Sequence, residues 1–236
     1  VPVLLLAQGD PPARELLKKA IEARYALRPP VLESLRIDFK GRSRAKIGPI
    51  SSWVPVETSA QFLFPRAMRW DFKVTAAGVR LGSGSEAFDG TTSRTTRGSK
   101  APVVISDPAA VESLHRRLWA IAAVFLTPLG DHFVKLRAVG DLQLDATNTQ
   151  TNSTVRLTVR PNKTLESVEV TCLNPDSERE QRFSLHLSEE QAAVNDLILP
   201  TQISAFWDDA PSFEIEPILA QENPTIAEGV FSLQAD

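Results

Sequence analysis

The chain is nearly without cysteine: Cys172 is the only one in 236 residues. One thiol cannot close an internal disulfide, and with three histidines there is no Cys/His cluster to hold zinc. Excess charge is missing too. The 26 Lys and Arg against 29 Asp and Glu leave a formal net charge of −3, which gives no electrostatic footing for nucleic acid. No stretch is long and uncharged enough to span a bilayer; Leu118–Leu126 is apolar but short and follows Arg116-Arg117. Catalytic signatures are also wanting. Gly82-Ser83-Gly84-Ser85 lacks the G-x-S-x-G spacing of a nucleophile elbow, and no Gly-Lys-Ser/Thr follows to make a phosphate loop. His132 and His186 are isolated, and His115, beside an apolar helix stripe, reads as buried and hydrogen-bonded. Trp207-Asp208-Asp209 reads as a solvated turn. With no acid–base or nucleophile constellation in view, the expectation is a protein that is not an enzyme and carries no metal or cofactor.

What is present is apolar material, 42% of residues, against 23% charged, enough to build a core. The organising element is a helix expected over 107–127. Asp107 before Pro108 is a start signal, since the carboxylate accepts from free N–H groups and proline fits the first turn. Thr127-Pro128-Leu129-Gly130 is the stop. At ~100° per residue, Val111, Leu114, Leu118, Ile121, Ala122, Phe125 and Leu126 fall on one stripe, with Glu112, Ser113, Arg116 and Arg117 opposite. A shorter helix is expected over 11–27, opened by Pro11-Pro12 and closed by Arg28-Pro29-Pro30, with Leu16, Leu17, Ala20, Ile21 and Tyr25 on one face.

Elsewhere the period is two. Leu35, Ile37 and Phe39 alternate with polar residues in 34–40, and a loop is expected at Gly48-Pro49 and Ser51-Ser52. In 56–64, Val56, Thr58, Ala60, Phe62 and Phe64 share a face; in 68–74, Met68, Trp70, Phe72 and Val74 do. Ala76-Ala77-Gly78 and Asp89-Gly90 are hairpin turns, flanking 79–88 and a short strand at 91–96. Beyond the central helix, alternation resumes at Val134–Leu144, 155–159, 165–172 and 182–187. The Thr/Asn-rich run 145–153 reads as an exposed loop, and Leu197, Leu199, Ile203 and Ala205 as one strand, followed by another around Phe213 and Ile215. The tail from Asn223 to Phe231 reads as extended.

About ten strands with one apolar face each describe antiparallel sheet covered on one side and wet on the other. Two helices cannot cover ten flat strands, so the sheet must curl. The expected fold is mainly β (α+β): a single strongly curved antiparallel sheet, a half-open β-barrel, with amphipathic helices on the concave side. Such a trough has more apolar lining than two helices fill. The surplus is either a packed core or a cavity for a lipophilic guest, and both stay open here. A cavity would be lined by Leu35, Ile37, Phe39, Phe62, Phe64, Met68, Trp70, Phe72, Leu118, Ile121 and Phe125. Residues 1–10, Val1-Pro2-Val3-Leu4-Leu5-Leu6 and onward, read as a residual secretory signal or disordered segment, and 11–236 as one domain.

At Phe64-Pro65-Arg66-Ala67-Met68-Arg69-Trp70 the pattern becomes specific: an apolar strand end, proline, a large apolar residue and Trp two positions later, then a strand and the turn Asp89-Gly90-Thr91. This resembles the LolA/LolB family of lipoprotein carriers of the Gram-negative periplasm. The motif covers residues 62–92; the order of elements, including a C-terminal Gly229-Val230-Phe231 strand, covers most of the chain. The resemblance implies a periplasmic carrier of lipid or acylated lipoprotein, monomeric, with a hydrophobic cavity under a helical lid and an envelope protein as partner. An arginine precedes that proline in the carriers and helps hold the lid closed; here Phe64 stands in its place. The alternative expectation is a non-catalytic envelope interaction domain with a solid core.

Overall fold

The computed structural model describes residues 6–47, 50–76, 79–98, 101–227 and 229–233. In chain order it runs β1 (Gln8–Gly9), α1 (Pro11–Tyr25), β2 (Ser34–Ile47), β3 (Ile50–Leu63), β4 (Ala67–Ala76), β5 (Val79–Phe88), β6 (Ser93–Arg97), β7 (Val103–Ile105) and α2 (Pro108–Val124). After α2 come β8 (Val134–Gly140), β9 (Gln143–Asn148), β10 (Ser153–Val159), β11 (Leu165–Asn174), β12 (Arg179–Leu187), β13 (Gln191–Val194), β14 (Leu197–Pro200), β15 (Ile203–Trp207) and β16 (Ala210–Glu222). Fourteen strands join in one sheet of order β1-β8-β9-β10-β11-β12-β15-β16-β2-β3-β4-β5-β6-β7, with β13 and β14 as a separate ribbon. The sheet is strongly curved, antiparallel but for the β1–β8 pair, and not closed into a barrel among the described residues. The chain's two strand runs meet in the middle, where β16 returns to pair with β2 from Phe213↔Ser43 to Glu222↔Leu35.

Both helices lie on the concave side and cover it unevenly. α2 packs chiefly against β10 and β11, and α1 against β8 and β9. That half of the sheet is closed by a dry core in which Trp119, Leu17, Ile21, Leu118, Leu126 and Leu136 are almost completely buried. Trp119 also satisfies its one donor there, giving its indole N–H to the Ala146 carbonyl at 3.0 Å. The two helices are fastened at the end of α2. Arg24, itself buried, donates to the Val124 carbonyl, and the Tyr25 hydroxyl donates to the Phe125 carbonyl at 3.0 Å. A guanidinium at the negative end of α2 fits the orphan carbonyls there.

Several expectations from sequence change here. The central helix starts as read, with the Asp107 carboxylate accepting from Ala110 N–H at 3.1 Å, but it ends at Val124 and Thr127–Gly130 forms a 3-10 turn. Ser51 and Ser52, read as loop, extend β3; Gly48-Pro49 and Ala77-Gly78 lie outside the described residues. Leu197 and Leu199 belong to the β13–β14 ribbon, ended by Pro200, so they are separate from Ile203 and Ala205. The tail is not a strand: Val230–Ser232 is a 3-10 turn lying against β4 and β5, where the Val230 carbonyl accepts from Arg69 at 3.3 Å. Residues 1–5 lie outside the described residues, but from Leu6 onward the start is docked. Ala7 is buried and Gly9 pairs with Leu136, approaching so closely that a Cβ would stand 1.9 Å from the Leu136 oxygen.

The largest error of reading is 145–153, which is not an exposed loop. Residues 145–148 complete β9 and Ser153 opens β10. Asp145 sits in the ladder directly across from Arg137 on β8 and Arg156 on β10, and its carboxylate accepts from them at 2.6 and 2.9 Å. Burial alone would raise the Asp145 pKa, but the hydrogen bonds from Arg156 and Arg137 outweigh it and hold the value below the ordinary 3.8. Because the folded value is depressed, this carboxylate contributes stability that is present above the ordinary 3.8 and is lost as pH falls through the folded value. Asp145→Asn is therefore expected to lower stability at pH 7 by about 1–2 kcal/mol, the arginines being largely solvated. The difference from wild type closes on acidification below the carboxylate range. Denaturant titrations of both proteins at neutral and acidic pH check this; an equal deficit at both would refute it.

Candidate functional site

Alternation along each strand, combined with the register between strands, fixes what faces the trough. One transverse row reads Phe39 (β2), Thr58 (β3), Phe72 (β4), Gly84 (β5) and Arg97 (β6), each directly opposite the next. The neighbouring row reads Ile37, Ala60, Trp70, Glu86 and Thr95. Gly84 is needed in the first row because the Phe72 ring lies across it; a Cβ there would come 2.5 Å from that ring. These strands run past the end of the helical cover, and the space over them is not filled. It is a cavity of about 740 Å³, open to solvent, walled by β2–β6 on one side, β12, β15 and β16 on the other, and α2 beneath.

The cavity is deep at one end and wet at the other. Phe62, Val124 and Phe125, at its floor, are buried. Trp70, Phe72, Ile121, Trp207 and Phe213 form the walls and are only half-buried. Arg44, Arg97, Gly98, Pro175 and Asp176 form the rim and are exposed. The aromatic wall is continuous: Phe39 stacks on Trp70 at 5.8 Å, Trp70 meets the edge of Phe62 at 5.7 Å, and Phe62 touches Phe125 at 6.5 Å. Rings in these offset and edge-on arrangements support one another's positions without ligand.

Six of the eleven expected lining residues border this space: Phe39, Phe62, Trp70, Phe72, Ile121 and Phe125. The other five do not. Leu35, Ile37, Met68 and Leu118 are completely buried in the packed core, nearer the covered end of their strands and helix. Phe64 is stacked on Phe62 at 5.4 Å and tilted against Phe125 at 5.7 Å. The residue before the proline thus makes an aromatic contact to the end of α2, next to a cis Phe64–Pro65 peptide. The polar grip on that helix end comes instead from Arg24 of α1.

Two charged residues of the interior escaped the sequence reading. Arg117, expected on the solvated face of α2, turns into the trough and pairs with Glu86 of β5, its side chain only 13% exposed. Its neighbour Arg116 does face outward, to Glu112 and Glu180. The signal that places Arg117 is its spacing of four from Ile121, one turn along the cavity-facing side. Phe213 and Trp207 were also missed as lining; the register of β15 and β16 against β12 and β2 brings them in.

The titratable groups considered for chemistry are engaged in structure. His115 is half-buried; burial lowers its pKa, the Gly90 carbonyl 3.0 Å from Nε2 acts the other way, and the net shift is downward. The neutral ring then donates from Nε2, edge-on to Phe88 at 4.9 Å. Cys172 is buried and desolvation pushes its thiol up to about 11. Asp208 and Asp209 form the β15–β16 turn, where Asp209 pairs with Arg182 at 2.9 Å and the Asp208 carboxylate accepts from Arg182 N–H at 3.0 Å. Among the described residues, no group of three or more His, Cys, Asp or Glu side chains could hold a metal ion, and no helix is long and apolar enough to cross a membrane.

No protein-family model and no curated protein matches the sequence. Among solved structures, the chain is similar to a LolA superfamily protein from Nitrosomonas europaea at 13% identity and a TM-score of 0.48, covering 93% of this chain and 96% of that one. It is similar to a DUF1329 family protein from Desulfovibrio piger at 13% identity and a TM-score of 0.49, covering 94% and 99%. A domain from Vibrio parahaemolyticus named for outer-membrane lipoprotein sorting stands at 11% and 0.46, covering 93% and 97%. The family that the residues around Trp70 resemble is thus named among the solved structures to which this chain is similar.

Proposed function

We propose that this chain is a periplasmic carrier or binder of lipids, or of the acyl chains of lipid-modified proteins. It acts as a monomer without catalysing a reaction, in one domain that includes the docked start from Leu6 as well as the stretch from residue 11 onward. The observation that carries the reading is the open space of about 740 Å³ walled by large apolar side chains that remain half-exposed. Its size lies within the ~300–1,000 Å³ range of pockets that enclose small molecules. Apolar walls left wet are costly, and each methylene seated against them gains about 0.8 kcal/mol by leaving water. Water exclusion and dispersion suffice for such a ligand; no hydrogen-bonding array is needed to hold it. A solid-core interaction domain would have this volume filled.

The test is direct. Gently purified protein is expected to yield lipid on solvent extraction and mass spectrometry, and the emptied protein to bind an environment-sensitive fluorescent fatty acid that the extracted lipid displaces. Protein that yields no lipid and takes up no probe is not a lipid carrier.

A further inference from the structure

We infer that the cavity selects amphiphiles with an anionic head, and that Arg97 is the residue that reads the head. The inference rests on the carrier reading and names its ligand class. Arg97 ends β6 on the inward row, directly across from Gly84 and in line with Phe72 and Phe39. It lines the rim and is exposed, and beyond its backbone pairing with β5 its guanidinium has no hydrogen-bond or ion-pair partner among the described residues. The other charges bordering the cavity are placed differently. Arg117 and Glu86 neutralise each other two positions deeper along β5, about 7 Å from Gly84. Arg44 belongs to the outward set of β2, its guanidinium over the Trp53 ring at 4.8 Å. Asp176 lies on the turn after β11, which is the opposite wall.

A guanidinium without an ion-pair partner, on the inward row at the wet end of an apolar trough, is complementary to one kind of molecule. An acyl chain lies along Phe72, Trp70 and Phe62 toward Phe125, and a carboxylate or phosphate stays at the rim, where Arg97 donates to two oxygens at once. The Phe72 ring covers Gly84 directly across from Arg97, so the apolar wall runs up to the guanidinium, and Gly98 beside it adds no side chain at the rim. A neutral head of equal chain length has the same apolar contacts and loses only the charge-assisted hydrogen bonds.

The experiment compares dodecanoate, dodecyl phosphate and dodecanol as displacers of a neutral fluorescent acyl probe, with acetate and inorganic phosphate as head-only ligands. Wild-type protein is expected to bind both anions about tenfold or more tighter than dodecanol, and to bind the head-only ligands far more weakly than either. Arg97→Gln brings the anions to within about twofold of dodecanol without changing dodecanol binding; Arg97→Lys keeps most of the preference, and Lys73→Gln, exposed on the outward face of β4 and away from the cavity, keeps all of it. Carboxylate and phosphate heads are separated by the two anions themselves. Dodecanol bound as tightly as the anions, a preference that survives Arg97→Gln, or inorganic phosphate bound as tightly as dodecyl phosphate would overturn the inference while leaving the carrier reading standing. Binding of none of the three chains overturns both.

Discussion

Phe213→Glu is expected to weaken binding of a pyrene-labelled fatty alcohol by about 100-fold. The side chain lines the cavity from β16 and is half-buried. Glutamate there removes an apolar wall. It also places a carboxylate that keeps its water in the open trough and must surrender it when a chain lies down. The penalty therefore falls on the loaded state. The empty protein loses only the contacts of a half-exposed ring, so its melting midpoint is expected to fall by a few degrees at most. Fluorescence titration and a thermal melt on the same preparation separate the two. Replacing Glu214, the next residue along and outward-facing in its ion pair with Arg42, is the matched control. Unchanged alcohol binding in Phe213→Glu would mean that the chain binds elsewhere or not at all.

Trp119→Ala is expected to give the opposite profile. Trp119 is 1% exposed and is held on the other side of the molecule, between α2 and the β9 carbonyl of Ala146. Truncation leaves a void the size of an indole in close-packed surroundings and removes a donor from the Ala146 carbonyl, a loss of about 3–5 kcal/mol. For a chain of this size that corresponds to a fall in melting midpoint on the order of 10 °C. Trp119→Phe keeps most of the volume and gives up the hydrogen bond, so about 1 kcal/mol is expected. A small effect of Trp119→Ala would mean that this half of the core is not the stabilising one.

These two residues also mark where the sequence was readable and where it was not. The period-two alternation of β2–β4 carried the fold class, because inward and outward residues differ in kind: Met68, Trp70 and Phe72 against Arg69, Asp71 and Lys73. It failed at Asp145, where the outward face is itself buried under two arginines and a polar string reads as a loop. The helical stripe carried α2, but Trp119 lies off that stripe and is fully buried, while Ile121 lies on it and is half-exposed. A stripe assumes one wet side and one dry side. The second half of α2 has the packed sheet against several of its faces and a cavity against another. For the same reason the lining was half legible. Leu35 and Phe39 are equivalent by alternation, and only their distance along β2 from the helical cover makes the first core and the second wall. That distance depends on where the other strand run docks, which no local pattern encodes.

The lopsided cover has an evolutionary corollary. Positions that keep the chain folded and positions that border the cavity occupy different stretches of one sheet. Drift at the first is punished as lost protein; drift at the second alters only what the trough can accept. A lineage built on this plan can reshape the cavity by replacing a few wall residues while its anchorage around Trp119 stays untouched.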